Sequence, residues 1–130
     1  MRKGAPRALV IDNDHDVADS FALLLETLGA VAHAAYDGLS GIAAMDELKP
    51  DIVFVDIGMP GVDGYETARR IRRGSHAHRF ILVALTGWSR EEDRRRSRHA
   101  GFDLHLAKPA SVEEVEAMLR LAKALAKPHY

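Results

Sequence analysis

The sequence predicts an α/β fold, a parallel sheet covered by helices on both sides, and three observations lead there. Short apolar runs rich in Val, Ile, Leu or Ala alternate with stretches of helical spacing five times. The runs are apolar at consecutive positions, as strands buried on both faces are. The stretches between them have the length of crossover helices, which parallel neighbours require.

In order, the strands are "ALVI" (8–11), a weaker "AVAHAA" (30–35), "DIVFVD" (51–56), "FILVALT" (80–86) and "FDLHLAK" (102–108). Phe21, Leu24, Leu25 and Leu28 mark the apolar face of a first helix, and Ile42 and Met45 that of a second. Val112, Val115, Met118, Leu119, Ala122 and Leu125 mark the face of the last. Three helix starts have capping-box spacing, in which a short polar side chain caps the first turn and a Glu caps it in return. These are Asp63 with Glu66, Ser89 with Glu92, and Ser111 with Glu114.

Composition narrows the function classes. A chain of 130 residues reads as one domain, with a folded core over about 7–127, and it can bury roughly two-thirds of its unfolded surface without metal or disulfide. The absence of cysteine and of any apolar run near the roughly 20 residues of a membrane span suits the cytoplasm, with no membrane partner expected. "MRKGAPRA" is basic, but Asp12 cuts "ALVI" short of the apolar core of a signal peptide. Eighteen Lys and Arg against nineteen Asp and Glu give a formal charge of −1 and no global pull toward nucleic acid. "RRIRRG" (69–74) and "SREEDRRRSRHA" (89–100) look like nucleic-acid patches. Glu91 with Arg95 and Glu92 with Arg96 are nonetheless spaced for intrahelical pairs, so a solvated face or a protein-docking face is the expectation. His76 and His78 are too few and too poorly spaced for zinc, and no glycine-rich phosphate loop is present.

In parallel sheets covered on both faces, ligands bind beyond the carboxyl ends of the strands, where side chains of neighbouring loops converge. Here the first strand ends at Asp12, the third at Asp56, the fourth at Thr86 and the fifth at Lys108. Two carboxylates, a hydroxyl and an ammonium on one crevice make a hard-oxygen site suited to Mg²⁺ and a phosphate. Phosphoryl transfer mostly needs positioning and charge neutralisation, so a carboxylate held beside Mg²⁺ and a lysine could act as nucleophile toward phosphorus.

These residues carry a resemblance. "VIDND", "VFVDIGMPGVDGYE", "ALTG" and "HLAKP", in this order and spacing, resemble the receiver domain of two-component response regulators over nearly the whole chain. The resemblance implies a doubly wound (βα)5 flavodoxin-like three-layer sandwich whose five parallel strands have the order 2-1-3-4-5. It implies Asp56 as phosphoacceptor, Asp12 as an acid near Mg²⁺, the Gly58 carbonyl as a backbone metal ligand, and Thr86 and Lys108 as contacts to the phosphoryl group. The Lys108–Pro109 peptide would be cis. The implied protein is a regulatory phosphoacceptor and not an enzyme, catalysing at most its own phosphorylation and dephosphorylation. Its donor would be a sensor histidine kinase or histidine phosphotransfer protein. Its downstream protein partner would meet the face formed by the fourth and fifth helices and fifth strand. The chain ends about one helix after Lys108, so no output domain is expected. It is either a stand-alone receiver or one cut from a longer chain, and "DIGMPGVDGYE" and "ALTGW" look more like receivers fused to hybrid sensor kinases.

Two departures bear on that reading. Receivers usually place two acids side by side after the first strand, and here the second position is Asn13. An amide oxygen still coordinates but lacks full charge, a loss of roughly 1–3 kcal/mol, or about 5–150-fold in Mg²⁺ affinity. Asp14 and Asp16 are read as loop and helix-start carboxylates favoured by the helix dipole. His105 stands where receivers commonly carry Tyr or Phe as a rotating switch, and it either moves inward when Thr86 shifts toward the phosphoryl group or is a half-exposed strand residue with no signalling role. Trp88 is expected to lie on apolar surface beside the crevice, where its ring could slow attack by water.

Two other functions fit parts of the sequence. "VIDND" also resembles the Asp-x-Asp opening of haloacid-dehalogenase-like phosphatases, which would make Asp12 the nucleophile and Asp14 the general acid. Asp16, where Thr or Val is expected, and the lack of an obvious cap weaken it. A degenerate receiver, binding partners without phosphorylation, is the third reading, suggested by Asn13.

Overall fold

The structure, a computed structural model, describes residues 4–59, 61–74, 79–87 and 91–126. Pro60, His76, His78, Trp88 and the Ser89 cap therefore lie outside the described residues. Strands and helices alternate as β1 (Arg7–Ile11), α1 (His15–Thr27), β2 (Val31–Ala35), α2 (Gly38–Leu48) and β3 (Ile52–Asp56). They continue as α3 (Gly64–Arg73), β4 (Ile81–Thr86), α4 (Glu91–Ala100), β5 (Leu104–Ala107) and α5 (Val112–Ala126). All strand pairs are parallel, in the order β2-β1-β3-β4-β5. The expected architecture and strand order are both observed.

The period-two geometry of a strand divides each apolar run between two cores. Ala8, Val10, Ile52, Phe54, Val83, Leu85 and Leu106 face one layer with α1 and α5, where Leu25, Val115, Leu119 and Ala122 are buried. Leu9, Ile11, Val53, Val55, Leu82 and Ala84 face the other with α2, α3 and α4, where Met45, Ala68, Ile71 and Ala100 are buried. Phe21 closes the first core, packing edge-on to Phe54 with ring centroids 5.0 Å apart. The weak pattern of β2 follows from its place at the sheet edge, where Val31 and His33 are exposed.

Several local expectations are corrected. β5 is shorter than 102–108, because Phe102 turns into the second core before the strand begins and Lys108 lies beyond its end. Val112 is exposed, so the apolar face of α5 starts at Val115. Asp63 caps α3, its Oδ1 accepting from the Glu66 amide at 2.9 Å, but Glu66 does not reach back. Its carboxylate instead takes the Arg69 and Arg70 guanidinium groups at 3.0 and 2.9 Å, where full charges compete better than one amide. The Ser111–Glu114 box closes in both directions, at 3.1 and 3.2 Å. Among the described residues the Glu91–Arg95 and Glu92–Arg96 pairs are not formed; the Arg96 guanidinium lies 4.0 Å from the centroid of the Tyr65 ring on α3, whose face attracts a cation.

Candidate functional site

The crevice at the carboxyl end of the sheet is built by neighbouring strand ends. β1 and β3 are adjacent, so Asp12, just past the end of β1, and Asp56, the last residue of β3, come side by side. β5 lies beyond β4, and the Lys108 amide donates to the Thr86 carbonyl at 2.8 Å, fixing where the lysine leaves the sheet. The Lys108–Pro109 peptide is cis, as the resemblance implied. From there Lys108 Nζ reaches both acids, 3.3 Å from Asp12 Oδ2 and 3.4 Å from Asp56 Oδ1.

The two carboxylates are not equivalent. The Asp12 side chain is 2% exposed and that of Asp56 15%. Asp12 Oδ1 accepts from the Asp14 amide at 3.0 Å, and Asp56 Oδ1 from the Gly58 amide at 3.1 Å. Burial above all holds the Asp12 carboxyl above its ordinary range, and the charge of Asp56 adds to this. The Asp14 amide and Lys108 act the other way. One ammonium thus serves two carboxylates, leaving excess negative charge among hard oxygen donors.

That donor set fits Mg²⁺, though thinly. Asp12 and Asp56 come together at Lys108, and the Gly58 amide meets Asp56. Among the described residues no group of three or more His, Cys, Asp or Glu side chains is placed to hold a metal ion. Asn13, the fourth expected donor, is exposed, and its side chain makes no hydrogen bond among the described residues.

Thr86 is buried at the end of β4, one residue beyond the Asp56–Leu85 register pair. His105 lies further back on β5, opposite Ala84 and half-buried, with Nδ1 3.5 Å from the Ser97 hydroxyl of α4. Ser97 is buried and donates to the Asp93 carbonyl at 2.9 Å, so the ring meets an anchored group. Asp14 is the N-cap of α1, its Oδ1 accepting from the Val17 amide at 3.1 Å, and Asp16 sits in the first turn.

The sequence reading missed a groove of about 610 Å³ beside the crevice, between α1 and the start of the β5–α5 connection. Val17, Phe21, Pro109 and Ala110 line it, and it shares Asp12 and Lys108 with the crevice. The signal available was Val17, an apolar side chain among the acids that open α1; it is 43% exposed.

Known proteins resemble this chain in sequence and fold. Residues 8–120 match the response regulator receiver domain family. The chain is 34% identical to the DNA-binding dual master transcriptional regulator RpaA of Synechocystis over 88% of its own length and 48% of that protein's, so it spans about half of that relative. Protein PilG of Pseudomonas aeruginosa is 32% identical over 84% of this chain and 81% of its own. The solved structure of the Vibrio cholerae chemotaxis protein CheY4 shares the fold, with a TM-score of 0.84 at 21% identity over 91% of this chain and 98% of that one. With the doubly wound sheet and the match over residues 8–120, the chain belongs to the response regulator receiver domain family, the regulatory modules of two-component systems.

Proposed function

We propose that Asp56 is the phosphoacceptor of a signalling module that takes its phosphoryl group from a phosphohistidine donor. The observation that carries this is the shared lysine: Lys108 bridges two carboxylates of which only Asp56 is open to an incoming group. In the transfer an Asp56 oxygen bonds to phosphorus as the phosphorus–nitrogen bond of the donor breaks. The leaving imidazole keeps the electron pair and takes up a proton from solvent. Lys108, released from pairing with the bare carboxylate, turns its charge to the phosphoryl oxygens, and Thr86 donates a hydrogen bond to one of them. Mg²⁺, when bound, supplies neutralisation of the charge between carboxylate and phosphoryl oxygens. Asp12, Asp56, the Gly58 carbonyl and, more weakly, Asn13 would hold it.

The donor in this reading is a histidine kinase or histidine phosphotransfer protein. It brings its imidazole to the crevice past Val17 and Pro109. The readout is a change in the face of α4, β5 and α5, with His105, whose ring meets Ser97, as the side chain that transmits it. No described helix is long and apolar enough to cross a membrane, and we place the module in the cytoplasm. The phosphatase alternative is disfavoured by geometry: Asp12 is too buried to attack an external ester, and the Asp14 carboxylate is engaged as a helix cap.

Intact-mass measurement after acetyl phosphate or a phosphohistidine donor with Mg²⁺ tests the proposal. Wild type should gain one phosphoryl mass, and Asp56→Asn none. A label that persists in Asp56→Asn and maps to Asp12 would restore the phosphatase reading. Absence of label, with partner binding intact, would establish the degenerate one.

A further inference from the structure

Charge is unevenly divided along this chain. Residues 64–100, from the start of α3 to the end of α4, carry ten Lys and Arg against four Asp and Glu, a net +6. The remaining residues carry eight against fifteen, a net −7, so the total of −1 conceals a separation. Every cation in the positive segment is arginine. Its acids sit in the first turns, Glu66 on α3 and Glu91, Glu92 and Asp93 on α4, which leaves the later turns basic.

Helix dipoles and internal pairing account for part of this. Cations in a last turn complement the dipole, an effect that falls off within that turn, and Arg94, Arg95 and Arg96 lie before it. Arg69 and Arg70 share Glu66, and Arg72 is fastened to Asp103 and to the Gly101 carbonyl. Arg96 lies over Tyr65, joining α4 to α3. That leaves Arg73, Arg95 and Arg98 exposed and, among the described residues, without an ion-pair partner. Arginines at separate positions on two helices that pack together are more than either helix needs for itself.

We propose that the α3–α4 face docks an acidic segment of a partner protein, a stretch in which Asp and Glu recur. Guanidinium groups pair with carboxylates in a two-pronged geometry that lysine cannot reproduce, and this face uses arginine throughout. A nucleic-acid backbone fits less well, because Glu91, Glu92 and Asp93 interrupt the positive surface and break the continuous track that evenly spaced phosphates need. A second copy fits less well too: outside this face its acids are spread over the rest of the chain in runs of no more than three in five residues, against four arginines in five at 69–73 and at 94–98. The proposal does not depend on phosphorylation of Asp56.

The test is fluorescence anisotropy of the full chain with a labelled peptide of alternating Glu and Ser, and with its Gln-for-Glu counterpart. The Glu peptide should bind at low ionic strength and weaken as salt rises past about 0.1 M. The triple variant Arg73→Gln, Arg95→Gln, Arg98→Gln should weaken it about tenfold or more, while Arg120→Gln with Lys123→Gln on α5 should change it less than about twofold. Circular dichroism should match wild type in both variants, since all five side chains are exposed. Failure of the Glu peptide to bind at low salt, equal binding of the Gln peptide, or equal loss in the α5 variant would overturn the proposal. A single-stranded oligonucleotide of equal charge binding about tenfold tighter would reassign the face to nucleic acid. Arginine-dependent dimerisation seen in sedimentation would reassign it to a second copy.

Discussion

Replacing Lys108 by Met and Asp12 by Asn, singly and together, probes the electrostatic basis of the crevice. Opposite unit charges 3.3 Å apart attract by about 5 kcal/mol at an effective dielectric near 20. The lysine side chain is 36% exposed and that of Asp12 2%, so water screens one partner and not the other. The net value then falls between the roughly 0–1 kcal/mol of an exposed pair and the 3–5 kcal/mol cost of breaking a buried one, and a coupling energy of about 1–3 kcal/mol is expected. Urea unfolding in metal-free buffer measures it as a double-mutant cycle. The pH dependence adds a sign. The Asp12 carboxyl is raised above 3.8 in the folded state, chiefly by burial, so the stability it contributes is present below that value and lost as pH rises through the folded pKa. Asp12→Asn should therefore gain on wild type as pH rises above 3.8, and Lys108→Met should cost most where Asp12 is ionised. A coupling below about 0.5 kcal/mol at neutral pH, or a Lys108→Met penalty that ignores pH, would refute the shared-lysine account.

Three further outcomes are expected. Asn13→Asp should raise Mg²⁺ affinity about 5–150-fold by calorimetric titration, and no change would remove Asn13 from the metal site. Gly64→Ala would bring a Cβ to 2.3 Å from Ile57 Cα and 2.5 Å from the Asp56 carbonyl. Because both are backbone atoms that cannot swing aside, it should cost at least the roughly 1–3 kcal/mol of an overpacked site in urea unfolding, and slow labelling of Asp56. Asp14→Ala should cost about 1 kcal/mol as a lost helix cap, read by the same unfolding, while leaving phosphoryl uptake intact by mass.

How far the sequence could be read depended on whether a feature was local. Asp12, Asp56, Thr86 and Lys108 stood out because each follows or closes an apolar run, and parallel pairing carries such ends to one side of the sheet. Spacing could not decide where Glu66 points, since the Asp63 cap lies three residues before it and Arg69 and Arg70 three and four after. The same ambiguity misdirected Arg96, whose partner Tyr65 is on another helix. The contact between His105 and Ser97 and the groove at Val17 are tertiary and had no sequence period to announce them. Gly64 has a tertiary reason too, the close approach of α3 to the backbone after Asp56.

The crevice is costly to the fold, and the cost has a direction. A carboxyl as buried as Asp12 pays to ionise, and it shares its one ammonium with a second carboxylate. Moving Lys108 toward either acid leaves the other less neutralised, so no rearrangement of these three side chains satisfies both. An added cation, or a phosphoryl group that engages the lysine while a cation engages the acids, removes the conflict. A group that binds the folded chain on those terms stabilises it by mass action. In the proposed site an aspartate at position 13 would add a third carboxylate, raising repulsion in the metal-free crevice and the pull on the cation together. Asn13→Asp should therefore lower metal-free stability while it raises Mg²⁺ affinity.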